Sequence, residues 1–111
     1  MLDELMQLDG ALAAFEFDRS GELKDSRIAQ QAKDMNTDVL DMLSHVCVAN
    51  GAIATMQARG WEKVTGMEGF YPIKGFSVIG FEWTVVVNNQ HGVVVPNDKV
   101  DYDAAYKLLD Q

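Results

Sequence analysis

The chain has 111 residues, a length for one domain with one core and little to spare. At 48% hydrophobic and 23% charged it has the composition of a folded globular protein, not a disordered one. Nine basic against 17 acidic residues leave a formal charge of −8, which excludes the basic footprint of a nucleic-acid binder and disfavours an anionic membrane surface.

The acidity suits solubility or docking onto a basic protein partner. Cys47 is the single cysteine, so no intramolecular disulfide forms and a reducing compartment is the simpler inference. The opening Met1-Leu-Asp-Glu-Leu-Met is acidic and lacks the basic start and apolar core of a secretion signal. No apolar run approaches the ~20 residues that span a bilayer. The expectation is a cytoplasmic protein.

Residues 2–8 carry Leu2, Leu5, Met6 and Leu8 and end at Asp9-Gly10, which reads as a short first helix. Helix nucleation is costly, so this piece must pack on something. In residues 11–17, Ala13, Phe15 and Phe17 fall on one side at period two, the mark of a strand. Asp18-Arg19-Ser20-Gly21 is a turn cluster. Residues 22–28 return as a charged, weakly apolar strand, as an edge strand should be, since charge discourages stray pairing.

From Ile28 the apolar residues recur at alternating gaps of four and three: Ala32, Met35, Val39, Met42, Val46, Ala49, Ile53, Met56. Residues so spaced share one helical face, and a long helix over 28–56 is predicted, starting between 26 and 30. Asn36-Thr37 is the alternative start or a break. At Asn50-Gly51 the helix either stops and restarts, or Gly51 lets another backbone come close. The seam keeps its phase through Ile53 and Met56, which favours one continuous helix, with Gly60 as its stop. A second stripe of Leu40, Leu43, Cys47 and Ala54 lies beside the first. One stripe is enough to sit on a sheet; two imply a second contact. The remaining chain is short for burying both, so one flank is read as covering a sheet and the other as meeting a partner chain, against the alternative of full burial in its own domain. Met35, Val39, Met42, Val46, Ala49, Gly51 and Ile53 are the candidate dimer-interface positions.

Residues 61–67 read as a strand, and 68–75, with Gly69, Pro72 and Gly75, as a loop. Residues 76–81 are a strand with a bulge or close approach at Gly80. Trp83 to Asn88, with three consecutive valines, is the strongest strand signal, and after a turn at 89–92 the chain runs back through 92–95. Residues 98–110 are helical, with Asp98 as the N-cap and Asp101 placed as in a capping box. The fold class is α/β (α+β): a mostly antiparallel central sheet of about five strands, one long helix, and short N- and C-terminal helices in a single domain over 1–111.

In this order of elements the chain resembles the roadblock, or dynein light-chain, family. More closely it resembles a small bacterial family of unknown function related to that fold. The opening Met1 to Met6, Cys47-Val-Ala-Asn50, the junction from Met56-Gln57 to Gly60-Trp61, Gly66-Met67, Lys74-Gly75-Phe76 and the valines 85–87 carry the resemblance. It implies a homodimer paired through the long helix and an adjacent strand, building one larger sheet. It also implies a scaffold or regulatory role, often beside small GTPases or motor complexes, with no cofactor. The strand at 92–95 departs from the typical pattern, in which a helix closes the fold soon after the fifth strand.

Glycines at 66, 69 and 75 fit neither a P-loop nor a dinucleotide-binding spacing, and serve turns. His45 and Cys47 are two apart, so on a helix they point about 200° from each other and form no catalytic pair. Cys47 reads as a small packed hydrophobe, with a persulfide or redox role, suggested by relatives in sulfur-oxidising organisms, as the candidate thiol site. No paired His or Cys spacing suggests a metal, and Asp98, Asp101 and Asp103 are better explained by helix capping than by calcium. The aromatics at 69–73 are a candidate exposed patch. The resulting reading is a non-enzymatic homodimeric scaffold or adaptor whose protein partner is unknown. A thiol carrier using Cys47 and a small-ligand sensor, with a pocket between the sheet and the terminal helices, are the rivals.

Overall fold

Five antiparallel strands form one sheet in the order β2-β1-β5-β4-β3. The computed structural model describes residues 1–111. Along the chain the elements are α1 (Leu2–Leu5), β1 (Ala13–Phe17), β2 (Leu23–Ile28), α2 (Thr37–Thr65), β3 (Phe76–Ile79), β4 (Trp83–Val87), β5 (His91–Pro96) and α3 (Tyr102–Leu109). The strand at 92–95 is therefore the fifth, and it sits in the middle. It pairs with β4 through Val85↔Val94 and Val86↔Val93, and with β1 through Phe15↔Gly92 and Ala13↔Val94.

The valine runs follow from this central position. Strands covered on both faces need apolar residues at every position, not alternate ones. Val85, Val87 and Val94 join Ala13, Phe15, Phe17, Leu40 and Cys47 in the core under α2. Val86, Val93 and Val95 face the other way, into a second core with Leu2, Leu5, Ala14, Ala105 and Leu109 from α1, β1 and α3. Three layers result, and α1 is stabilised by the packing it cannot do without. Gly92 makes the strand pairing possible. A Cβ placed there would lie 2.5 Å from the ring of its cross-strand partner Phe15, whose side chain is wholly buried.

The long helix departs from its sequence reading at both ends. Residues 28–36 are not helical. Ala29 N–H bonds to the Leu12 carbonyl, and short turns then carry Ala32 and Met35 into the core. Their spacing matched a helix because successive tight turns bury side chains at similar intervals. The helix begins at Thr37, where the Asn36 side chain accepts the Val39 N–H at 2.9 Å. It runs through both Gly51 and Gly60. Residues 61–65 are thus its last turn and a half, not a strand. Gly66 is the stop, in the left-handed conformation at φ 70° with its N–H on the Glu62 carbonyl. At ~1 kcal/mol relative to Ala, a mid-helix glycine costs less than the helix gains from continuing to a proper cap.

Asp98 is likewise not the cap of the last helix. The chain first turns over Pro96, and Asp101 accepts the Ala104 N–H at 3.1 Å. Asp41 of α2 accepts the Leu23 N–H at 3.0 Å, fastening the helix to the edge strand β2. Over its 29 residues α2 is also long and apolar enough to cross a membrane, although no unbroken apolar run of that length exists in the sequence. Its Leu40, Ser44 and Cys47 are committed to the chain's own core.

Replacing Asn36 by Ala removes the helix cap and should lower unfolding free energy by about 1 kcal/mol in urea titrations, at unchanged slope. Gly92→Ala overpacks the Phe15 contact and should cost about 1–3 kcal/mol in the same assay.

Candidate functional site

The sheet settles which way each stripe of α2 points. Leu40, Ser44, Cys47 and Ala58 are buried, and Leu43, Val48 and Ala54 are half-buried. On the opposite side Met42, Val46, Ala49, Ile53, Met56, Gly60 and Val64 form one exposed line at helical spacing. Met56 is 73% and Val64 81% exposed. An apolar line of this length on a solvent-facing helix side marks an interaction surface more often than chance exposure.

Four of the seven interface positions read from the sequence, Met42, Val46, Ala49 and Ile53, share this outer face. The other three do not. Met35 lies ahead of the helix, in the core. Val39 packs against that core, and Gly51 sits over Phe76 on the sheet-facing side. Met56 continues the seam, and Val64 is legible only by reading past Gly60.

The two edges of the sheet differ in chemistry. β2 carries Lys24, Asp25 and Arg27, and the Arg27 guanidinium holds both Asp3 and Asp25 at 3.0 Å. β3 is Phe-Ser-Val-Ile, without a charge and without a neighbour on its outer side. Val78 and Ile79 are exposed, and Phe81 just beyond is fully exposed. Val78 shares with Phe76 the sheet face that α2 covers, because both stand opposite α2-facing valines of β4. An apolar edge with free backbone groups is a template for another strand. Sequence reasoning missed this edge, since a charge-free strand is as easily central as peripheral.

The chemical candidates are placed apart. His45 is exposed, its Nδ1 2.8 Å from the Asp41 carbonyl, whereas Cys47 is buried in the core. Burial pushes the Cys47 thiol up to about 12. His91, beside Glu16, is held below the ordinary imidazole range by loss of solvent. The aromatic loop at 69–73 folds back on the end of α2. Glu62 accepts the Gly69 N–H at 3.0 Å, and Arg59 donates to the Tyr71 hydroxyl at 2.9 Å with its guanidinium over the ring. Phe70 and Tyr71 stay partly exposed there. Around the terminal helices the clefts are small, about 350 Å³ beside Tyr106 and about 80 Å³ beside Val100. A larger one, about 1030 Å³, lies on the other face, beneath α2.

Solved structures share this architecture. The chain is similar to a Roadblock/LC7 domain from Streptomyces avermitilis, with a TM-score of 0.74 at 9% identity over 96% of this chain and 85% of that one. It is similar to the gliding protein MglB from Thermus thermophilus, with a TM-score of 0.69 at 20% identity over 98% and 76%. An MglB in a tetrameric arrangement matches with a TM-score of 0.70 at 20% identity, over the same shares of the two chains. No curated protein matches the sequence. The fold is that of a roadblock domain, and the model of the uncharacterized conserved protein family DUF2173 matches residues 1–111, so the chain belongs to that family.

Proposed function

We propose that the chain is a non-enzymatic scaffold or regulatory domain of roadblock type, cytoplasmic, acting as a homodimer. It pairs through the outer face of α2 and the free edge of β3. The exposed line from Met42 to Val64 carries this reading. Each large apolar side chain moved fully out of water contributes roughly 1.5–3 kcal/mol. Five of them on each of two protomers, already partly covered, give on the order of 10–20 kcal/mol, comparable to or above the roughly 4–15 kcal/mol that association costs. A two-fold axis would place the same patch against itself, as a self-complementary seam allows. The charge-free β3 edges would then join two five-stranded sheets. The MglB in a tetrameric arrangement supports a fold that assembles with copies of itself. The surface charge of −8 favours a partner protein with a basic face.

The thiol-carrier reading loses support from burial. Burial pushes its thiol up to about 12, which keeps Cys47 in the protonated, weakly nucleophilic form at neutral pH.

Light scattering on the wild type should give twice the 12.3 kDa chain mass at micromolar concentration. Val46→Glu and Ile53→Glu should each return it to the single-chain value, with the helical circular-dichroism signal kept. A wild type that already runs as a single chain defeats the proposal. For Cys47, a maleimide probe at pH 7 should label the native protein at least a hundredfold more slowly than the urea-unfolded one; equal rates would revive the carrier reading.

A further inference from the structure

The cleft of about 1030 Å³ beneath α2 is larger than those around the terminal helices, and apart from Met56 the dimer reading does not use its walls. The helix outruns the sheet, and the cleft opens where its middle hangs over the strand ends. Four separate segments wall it: the β1–β2 turn, the 47–56 stretch of α2, the loop at Tyr71 with Phe76, and the β4–β5 turn. Its size is at the upper end of small-molecule sites, which combine apolar walls with a few placed polar groups.

Two features set the shape and chemistry of the cleft. The first is Gly51, which lines the cleft. A glycine in a helix interior costs ~1 kcal/mol against Ala. Nothing in the chain requires it, since a Cβ there would meet only Phe76, at an ordinary 3.7 Å. The helix leaves space that its own packing does not ask for. The second is the charge on the rim. Lys24 is paired with Asp18 at 3.5 Å, and Glu16 stands beside His91 at 4.0 Å. The Asp18 carboxylate is further engaged by Ser20 and the Glu22 N–H. Of the two cationic side chains on the rim, Lys24 and Arg19, the second is exposed and pairs with no carboxylate. Asn88 spends its side-chain amide on the turn, accepting the Gln90 and His91 N–H groups, and on the Leu109 carbonyl, whereas the exposed side-chain amides of Asn89 and Gln90 make no hydrogen bond within the chain.

We propose that this cleft binds a small organic monoanion with an apolar body. The body lies along Val48, Gly51, Tyr71 and Phe76, and the anionic head meets the Arg19 guanidinium and the Asn89 and Gln90 side-chain amide donors. A guanidinium and primary amides are the donors a carboxylate or sulfonate accepts from. The site lies on the sheet-facing side of the helix whose outer side forms the dimer seam, and the two surfaces meet at Met56.

The probe is 1-anilinonaphthalene-8-sulfonate, an aromatic body with one sulfonate. One molecule per chain should bind the native protein with enhanced fluorescence, and decanoate should displace it at least tenfold better than decanol. Gly51→Leu, which raises helix propensity while filling the cleft, should weaken binding at least tenfold. Arg19→Gln should weaken it about tenfold, the worth of one charge-assisted hydrogen bond. Ile53→Glu, on the outer seam, should leave it unchanged. Amide shifts on a ¹⁵N-labelled sample should move at Gly51, Asn89 and Gln90. An absence of binding, or binding that Ile53→Glu removes while Gly51→Leu and Arg19→Gln do not, overturns the proposal. A wild type that runs as a single chain and still binds one probe molecule per chain would count against the seam alone.

Discussion

The insertion of β5 between β1 and β4 is the constraint on which the rest of the structure depends. It joins the N-terminal hairpin to the last strand and converts two separate hairpins into one sheet. The joint is tight at a single place, where Phe15 lies across the strand from Gly92 with no room for a further atom. Once that pairing is made, both faces of the central strands need covering. The long helix takes one face and the two terminal helices take the other. The asymmetry between one long cover and two short ones leads to everything functional that follows.

A helix of 29 residues is longer than the sheet it lies on. Its first half is anchored, by Asp41 on β2 and by Leu40, Ser44 and Cys47 in the core. Its second half extends past the strand ends, where only Ala58 is buried and the 66–75 loop turns back to hold Glu62 and Arg59. That geometry leaves two kinds of surface. On the outside is an apolar line that nothing in the chain covers. On the inside is a cleft where the helix faces strand ends in place of a flat sheet. One surface is extended and featureless, suited to another protein. The other is concave with discrete polar groups, suited to a small molecule.

The legible parts of the fold are those with strong local signals. The alternation of Ala13, Phe15 and Phe17 marks β1, the charges of 22–28 mark an edge, and the valines mark two strands. The Met42–Met56 seam is visible as a stripe, and the structure leaves that stripe exposed. The departures sit at boundaries. Residues 28–35 carry helical spacing without being helical, because turns bury residues at similar intervals. Trp61 to Thr65 carry strand-like residues without being a strand, because helix propagation into an unbroken chain overrides weak local preference, and Gly66 supplies a stop that Gly60 does not. Asp98 and Asp101 both have a side chain able to cap the last helix, and only backbone geometry selects Asp101.

Periodicity and composition alone determined the class of fold, the existence of one long helix with two apolar stripes, and a net charge of −8. These are properties of residue order, and they survive any arrangement of the elements. Which stripe of that helix faces inward was a tertiary decision. Two adjacent stripes of similar hydrophobicity are equivalent until a sheet is laid against one of them, and the sheet chose Leu40, Ser44 and Cys47 through the Asp41 anchor. The bare β3 edge and the cleft under Gly51 were tertiary decisions as well. Both arise from where the elements end relative to one another, a quantity that local sequence does not encode.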